Sequence, residues 1–495
     1  MNRAISWLLS TLIVFSSSSF FNASDGDCSL EDIENSAKVS KVVPTGCNNN
    51  IYEIKNGWQL LWVASKINSG DTFENKIIVL KTDIDLSLPS KSWFSSKKGP
   101  GKLAQWEPIG NYESNKKKCS FKGEFNGNNK KIQNLVMDYD MDNYIGLFGY
   151  IEVGAYIHDV ELSSDCYIKG KNHVAGIVAY NRGGKIFNCI NKATVIGGNN
   201  VGGIAGDNHG IISECQNKGK IMSTKNSCGG ISGTNINGRI LDCYNKGSVS
   251  GATNVAGIAG INDGTMDSCY SNADICGDYF VAGLSAINKG NIVDCYNKGS
   301  IAGDRYVGGL IGRNFSNISI SYNLACVKGD RYVGGLVGTQ DGAIENCFNK
   351  GDISGDYYVG GLAGIQGDGS IGNCYSSGNV FGDYYIGGLV GDNGGKITNT
   401  YTRGSVEGEY YYGAISGRNS GKIRDSYWNS SIAKIDGIGL DSGDSKDITG
   451  YTSEFMRSLD FSKILNSNSN EYNYTQPRTV AHYWSRTDKE GYPIL

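Results

Sequence analysis

The sequence predicts an all-β parallel β-helix: a solenoid of about eleven rungs of 26–27 residues, with three short strands per rung. Two independent rulers and the content of the period carry this prediction. The large apolar residue that follows each Gly-Gly-like pair falls at Leu147, Ile177, Ile204, Ile231, Ile258, Leu284, Leu310, Leu336, Leu362, Leu389 and Ile415, in steps of 26 or 27 after a first step of 30. The apolar residue of Gly-x-Ile recurs at Ile186, Ile212, Ile240, Met266, Ile292, Ile318, Ile344, Ile371, Ile397 and Ile423, in steps of 26 to 28. Within one period, the runs 333–338, 343–349 and 352–354 are strand-like, and turns at Gln340-Asp341-Gly342, Lys350-Gly351 and Gly355-Asp356 punctuate them. A helical repeat would not tolerate the central Gly-Gly, no LxxLxL core is present, and a propeller blade needs ~40–45 residues. Seventy glycines and only six prolines suit many tight turns that must keep their ladder donors.

Residues 1–23 read as a secretory signal, with Arg3 as the positive start, 4–15 as the apolar core and Ala23 as the cleavage edge. That run is too short to cross a bilayer and has no second copy, so no membrane span is expected after its removal. Residues 24–50 are polar, and Cys28 and Cys47 are expected to form a local disulfide in an oxidising compartment. Residues 51–136 hold the N-terminal cap and first rungs. Leu60, Leu61, Ala64 and Ile67 share one helical face, and 77–86 is a strand. Such a lid is needed because an uncovered β-helix end is an unpaired edge. The lysine-rich stretch 88–119 reads as a solvated loop. Residues 137–430 are the repeats. In the C-terminal cap, 431–495, the stretch 453–465 can form a short helix.

The lead-in Ile78-Val-Leu-Lys-Thr-Asp-Ile-Asp-Leu86, Trp106-Glu-Pro-Ile-Gly110, Phe121-Lys-Gly-Glu-Phe-Asn-Gly127 and Ile145-Gly-Leu-Phe-Gly149 is similar to that of the GLUG-repeat proteins, which the chain resembles. The repeats Val333-Gly-Gly-Leu-Val-Gly338 and Val359-Gly-Gly-Leu-Ala-Gly364 are similar to the motif itself, and Gly491-Tyr-Pro-Ile-Leu495 to their ending. Ala179, Ala286 and Ser316 depart from it. The resemblance implies a secreted or cell-surface bacterial scaffold. The same repeat also precedes the catalytic part of IgA-specific metallopeptidases, which needs two His at i, i+4 with a Glu. His158, His173, His209 and His482 offer no such pair, so that catalytic part is absent here.

Cys189, Cys215, Cys243, Cys269, Cys295, Cys347 and Cys374 recur in one register, which Ser321, Thr400 and Ser426 also fill. The shared property is small size, which makes these thiols an inward structural ladder and not a metal site. Asn191, Asn217, Asn245, Asn297, Asn323 and Asn349 are expected to form an amide ladder beside them.

One pattern exceeds what the fold needs. Later rungs carry an acid, a variable residue and an aromatic: Asp278 and Phe280, Asp304 and Tyr306, Asp330 and Tyr332, Asp356 and Tyr358, Asp383 and Tyr385, Glu409 and Tyr411. Earlier rungs have Lys171 and His173, Gly198 and Asn200, or Ala252 and Asn254 there. Because the following Val333 or Val359 points inward, the aromatic is expected to point outward. An acidic, aromatic stripe suits a glycan or a host or matrix protein as partner. A net charge of −3 favours neither nucleic acid nor an anionic membrane. No cofactor is expected. The sequence therefore reads as a non-catalytic, adhesin-like binding scaffold. The alternative is a β-helix polysaccharide lyase or glycoside hydrolase, which needs paired carboxylates across a cleft.

Overall fold

The structure, a computed structural model, describes residues 43–45, 50–87, 106–112, 119–470, 484 and 486–495. The leader, the Cys28–Cys47 pair and most of the lysine-rich loop lie outside the described residues. The chain divides into two units, Met1–Met222 and Ser223–Leu495. Both are parallel β-solenoids.

In the first unit, Ile51–Ile54 pairs in parallel with Ile77–Leu80, which pairs with Glu124–Gln133 and then Tyr156–Leu162. Lys185–Phe187 and Ile211–Ser213 continue the stack. Helix α1 (Gly57–Asn68) starts where the Asn56 side chain accepts the Gln59 amide, and it buries Leu60, Leu61, Val63, Ala64 and Ile67. Its apolar face covers the beginning of the ladder, where an open edge would otherwise stand.

The second unit repeats one design. The turn from Arg331 has strands Arg331–Gly334, Val337–Gln340, Ala343–Glu345, Phe348–Asn349 and Ile353–Ser354. The three extended runs expected per rung are thus present, but two are bent midway, which divides each turn into five short strands. The first bend lies at Gly335 and Leu336. A Cβ on Gly335 would stand 2.1 Å from the Gly361 carbonyl oxygen and 2.5 Å from Cγ of Asn349, so the Gly-Gly pair makes room for the amide ladder. Val333, Leu336, Ile344, Cys347 and Ile353 are fully buried and form the core of the turn.

The expected eleven rungs are too few. Together the units make about 14 turns. Rungs without the Gly-Gly signature precede the repeats, as at Ile51–Ile54 and Ile77–Leu80. One more follows them, where Ile438–Asp441 pairs with Ser416–Asn419. Residues 431–495 therefore begin as a further turn. Helices α2 (Ser453–Met456) and α3 (Leu459–Asn470) then pack, with Trp484 and Tyr492, on Tyr375, Tyr401 and Tyr427.

Candidate binding stripe on the second unit

The aromatic residues of the pattern occupy an unusual backbone state. Phe280, Tyr306, Tyr332, Tyr358, Tyr385 and Tyr411 have φ of 53°, 58°, 59°, 58°, 58° and 54°. His173, Asn200 and Asn254 hold the same left-handed state at 54° each. Asn and His enter this region readily, whereas a large aromatic there is a conformational outlier. The later turns therefore spend this strain in every successive turn, whereas among the earlier ones only Tyr144, in register with His173, places a large aromatic there, at φ 62°. Stacking offsets part of it. Ring centroids along the column are 4.6, 4.7, 5.4, 4.9 and 5.2 Å apart, all with nearly parallel planes.

The variable residues form a second column. Tyr279, Arg305, Arg331, Tyr357, Tyr384 and Tyr410 are successive register partners. The Arg305 guanidinium lies 5.7 Å from the Tyr279 ring and that of Arg331 lies 4.9 Å from Tyr357. Tyr357, Tyr384 and Tyr410 stack at 5.0 and 4.6 Å. The sequence pattern does not disclose this column, because Arg and Tyr look unrelated until the planar guanidinium is seen stacking like a ring.

The third column is carboxylate. Asp278, Asp304, Asp330, Asp356, Asp383 and Glu409 are all exposed. Their backbones bond turn to turn, as where the Asp356 amide donates to the Asp330 carbonyl at 2.8 Å. None of their side chains accepts a hydrogen bond from the described residues. Partial burial first, and then Asp330 and Asp383 on either side, hold the Asp356 carboxyl above its ordinary range, against the pull of Arg331. Next to the aromatic column, Arg418 lies 5.2 Å from the Tyr385 ring and donates from Nε to Asp392 at 2.8 Å.

This geometry defines what the stripe can offer. Because neighbouring rings stack face to face, a ligand along the column meets ring edges, phenol hydroxyls and carboxylates, not open ring faces.

The ladder residues are placed differently. All seven ladder cysteines are fully buried. Each donates its S–H to the carbonyl two residues earlier, at 3.0–3.3 Å. Asn297 Nδ2 donates to Asn323 Oδ1 at 3.0 Å, and Asn323 to Asn349 at 2.9 Å. A second amide ladder runs Asn235, Asn262, Asn288, Asn314 and Gln340, with each link at 2.8 Å. Its spacing of 26 or 27 residues was available as a signal, but Gln340 and Gln366 hide it among the turn residues. Among the described residues no group of three His, Cys, Asp or Glu side chains is arranged to hold a metal.

A further aromatic row, Tyr244, Tyr270, Tyr296, Tyr322 and Phe348, stacks at 4.7–5.0 Å. Lys246, Lys298 and Lys350 lie 5.0, 4.7 and 5.1 Å from its rings.

Regular parallel turns with long outward columns define a β-solenoid repeat protein. More particularly, residues 329–354 and 355–380 match the family model of the GLUG motif. Halomucin of Haloquadratum walsbyi is 31% identical over 140 residues, 28% of this chain and 1% of that protein. A protein described as a Gly-rich membrane protein, from Evansella cellulosilytica, is 30% identical over 144 residues, 29% of this chain and 14% of that one. The chain thus spans only a small part of each relative. A crystal structure described as an immunoglobulin A1 protease from Bacteroides ovatus aligns over 90% of this chain and 91% of its own, at 16% identity and a TM-score of 0.27. Among the described residues no helix is long and apolar enough to cross a membrane.

Proposed function

We propose that this chain is a secreted or cell-surface, non-catalytic binding scaffold, and that its acidic, aromatic stripe holds the partner. The observation that carries the reading is backbone strain. Six turns place a large aromatic in the left-handed region where Asn200 and Asn254 serve the same turn with less strain. The unpaired carboxylates beside those rings add to it, since a purely architectural acid would close its own turn. The GLUG motifs, the relative described as a membrane protein and the apolar leader support a surface location. Edge-on phenols and carboxylates suit a polyhydroxylated glycan or a protein rich in donor side chains.

The test is binding of the purified chain to a panel of glycans and matrix proteins. The comparison variant carries Tyr306→Asn, Tyr332→Asn, Tyr358→Asn and Tyr385→Asn, which installs the residue that earlier turns use in this backbone state. Loss of a ligand by the variant, with its circular dichroism unchanged, is expected. Equal binding by both proteins would refute the stripe, and cleavage of the ligand would refute the non-catalytic reading.

A further inference from the structure

The final turn of the second unit is incomplete. Val390 pairs with Ser416, a step of 26, but Ser416 pairs with Ile438, Lys422 with Asp444 and Ser426 with Ile448, steps of 22. The four missing residues come from one side. From Val249 on, each earlier turn places two strands in the second sheet, as Ile353–Ser354 and Tyr357–Gly360 do. After Asn429 the chain instead passes through 430–437 directly to Ile438–Asp441. Val406–Glu407 and Tyr410–Gly413 therefore end their sheet, and among the described residues no strand pairs with their outer edge.

The backbone groups left there are those that earlier turns use. Gly382 donates to the Glu407 carbonyl at 3.1 Å, and the Asp383 carbonyl accepts from Glu409 and Tyr410 at 3.1 and 2.8 Å. Their counterparts one turn on, the Gly408 N–H and the Glu409 carbonyl, have no such partner among the described residues. Side chains tell the same story. Tyr412 stands in the inward register of Val359 and Ile386, which are fully buried, yet it is 38% exposed. Tyr410 and Tyr411 beside it are 50% and 46% exposed. Helices α2 and α3 do not cover this edge, since they pack on Tyr375, Tyr401 and Tyr427. Glu407 and Glu409 flank it, both exposed.

An open strand edge pairs with any extended chain of matching chemistry, and proteins ordinarily cover or blunt it. We infer that this edge receives an extended, basic segment of a partner protein, which supplies the missing strands of the last turn by parallel β-addition. The repeat itself specifies the chemistry. An Arg would lie over Tyr410 as Arg305 of the following turn lies over Tyr279, a β-branched residue would cover Tyr412, and a Lys would meet Glu409 where a further acid would repel it.

The probe is a labelled synthetic peptide copying residues 327–335 with Asp330→Lys (Val-Lys-Gly-Lys-Arg-Tyr-Val-Gly-Gly), titrated into the full chain. Saturable binding is expected, with slowed amide exchange at 408–412. A roughly tenfold loss is expected both for the peptide with Val333→Pro and for the chain carrying Glu407→Lys and Glu409→Lys. The four-fold Tyr→Asn stripe variant leaves this edge intact and should bind the peptide normally, which separates failure here from failure of the stripe. No saturable binding overturns the inference, including the case in which residues 471–483 or a second copy already occupy the edge. So does binding that neither protects 408–412 nor responds to charge reversal.

Discussion

Replacing Gly335 by Ala tests why the repeat contains its Gly-Gly pair. The added Cβ would stand 2.1 Å from the Gly361 carbonyl oxygen and 2.5 Å from Asn349 Cγ. The carbonyl belongs to the next turn's backbone and cannot yield alone, so either the turns spread or Asn349 moves. Asn349 holds the Gly351 carbonyl at 2.8 Å and accepts from Asn323 at 2.9 Å and from the Gly351 amide at 3.2 Å. Overpacking a dense core costs about 1–3 kcal/mol, and a buried amide left unpaired about 1–3 kcal/mol more. Together the loss should reach about 3–5 kcal/mol. Gly372→Ala is the control. Its Cβ would find nothing nearer than 4.0 Å, and the backbone there is not left-handed. That change should be neutral or stabilise by up to about 1 kcal/mol, through the unfolded chain. Urea unfolding followed by circular dichroism measures both. If the two variants agree within about 1 kcal/mol, the contact between the Gly-Gly bend and the amide ladder does not govern packing.

Cys276 and Cys326 are exposed, whereas burial pushes the Cys166 thiol up to about 12 and Cys374 well above its ordinary range. Native alkylation at about pH 8 with peptide mapping should therefore mark Cys276 and Cys326 first and the ladder cysteines only after unfolding. The Asp356 carboxyl, ordinarily near 3.8, titrates higher in the folded chain, so the folded state binds the extra proton and loses stability as pH rises through that window. Asp356→Asn should accordingly raise the melting temperature at neutral pH, and the gain should vanish below the ordinary carboxylate range. Trp484 is buried 5.5 Å from Tyr401 and 6.1 Å from Tyr375. Trp484→Ala should cost about 3–5 kcal/mol of local stability, read as faster amide exchange in α3 with the turns around Tyr296 unaffected.

The solenoid was legible because its period is written in residues that are seldom exchanged. Gly335 has no room for a Cβ and Asn349 bridges turns, so both types recur through most repeats, with Ser271, Ser376 and Thr402 standing in the register of Asn349 and Ala414 in that of Gly335. Where a turn dispenses with them, spacing gives no sign of it, and so the rungs at Ile51–Ile54 and Ile438–Asp441 escape the count. The bends are equally hidden, because Val333 to Gly338 reads as one extended run although its backbone turns at Gly335. Of the stripe, the acids and aromatics were legible as a pattern. Their consequences were not, since alternation predicts that a side chain points outward but says nothing of left-handed φ or of rings that cover one another.

Face-to-face stacking also makes the stripe a ruler. Each added 26-residue unit lengthens every column by one place without altering any existing contact, since a turn touches only its neighbours. A polymer whose own repeat matches the ~4.8 Å rung spacing, or a multiple of it, would gain one more contact per unit. Strength of attachment would then be set by copy number through avidity, and gene-level gain or loss of a repeat would tune adhesion in steps while leaving the chemistry of each contact unchanged.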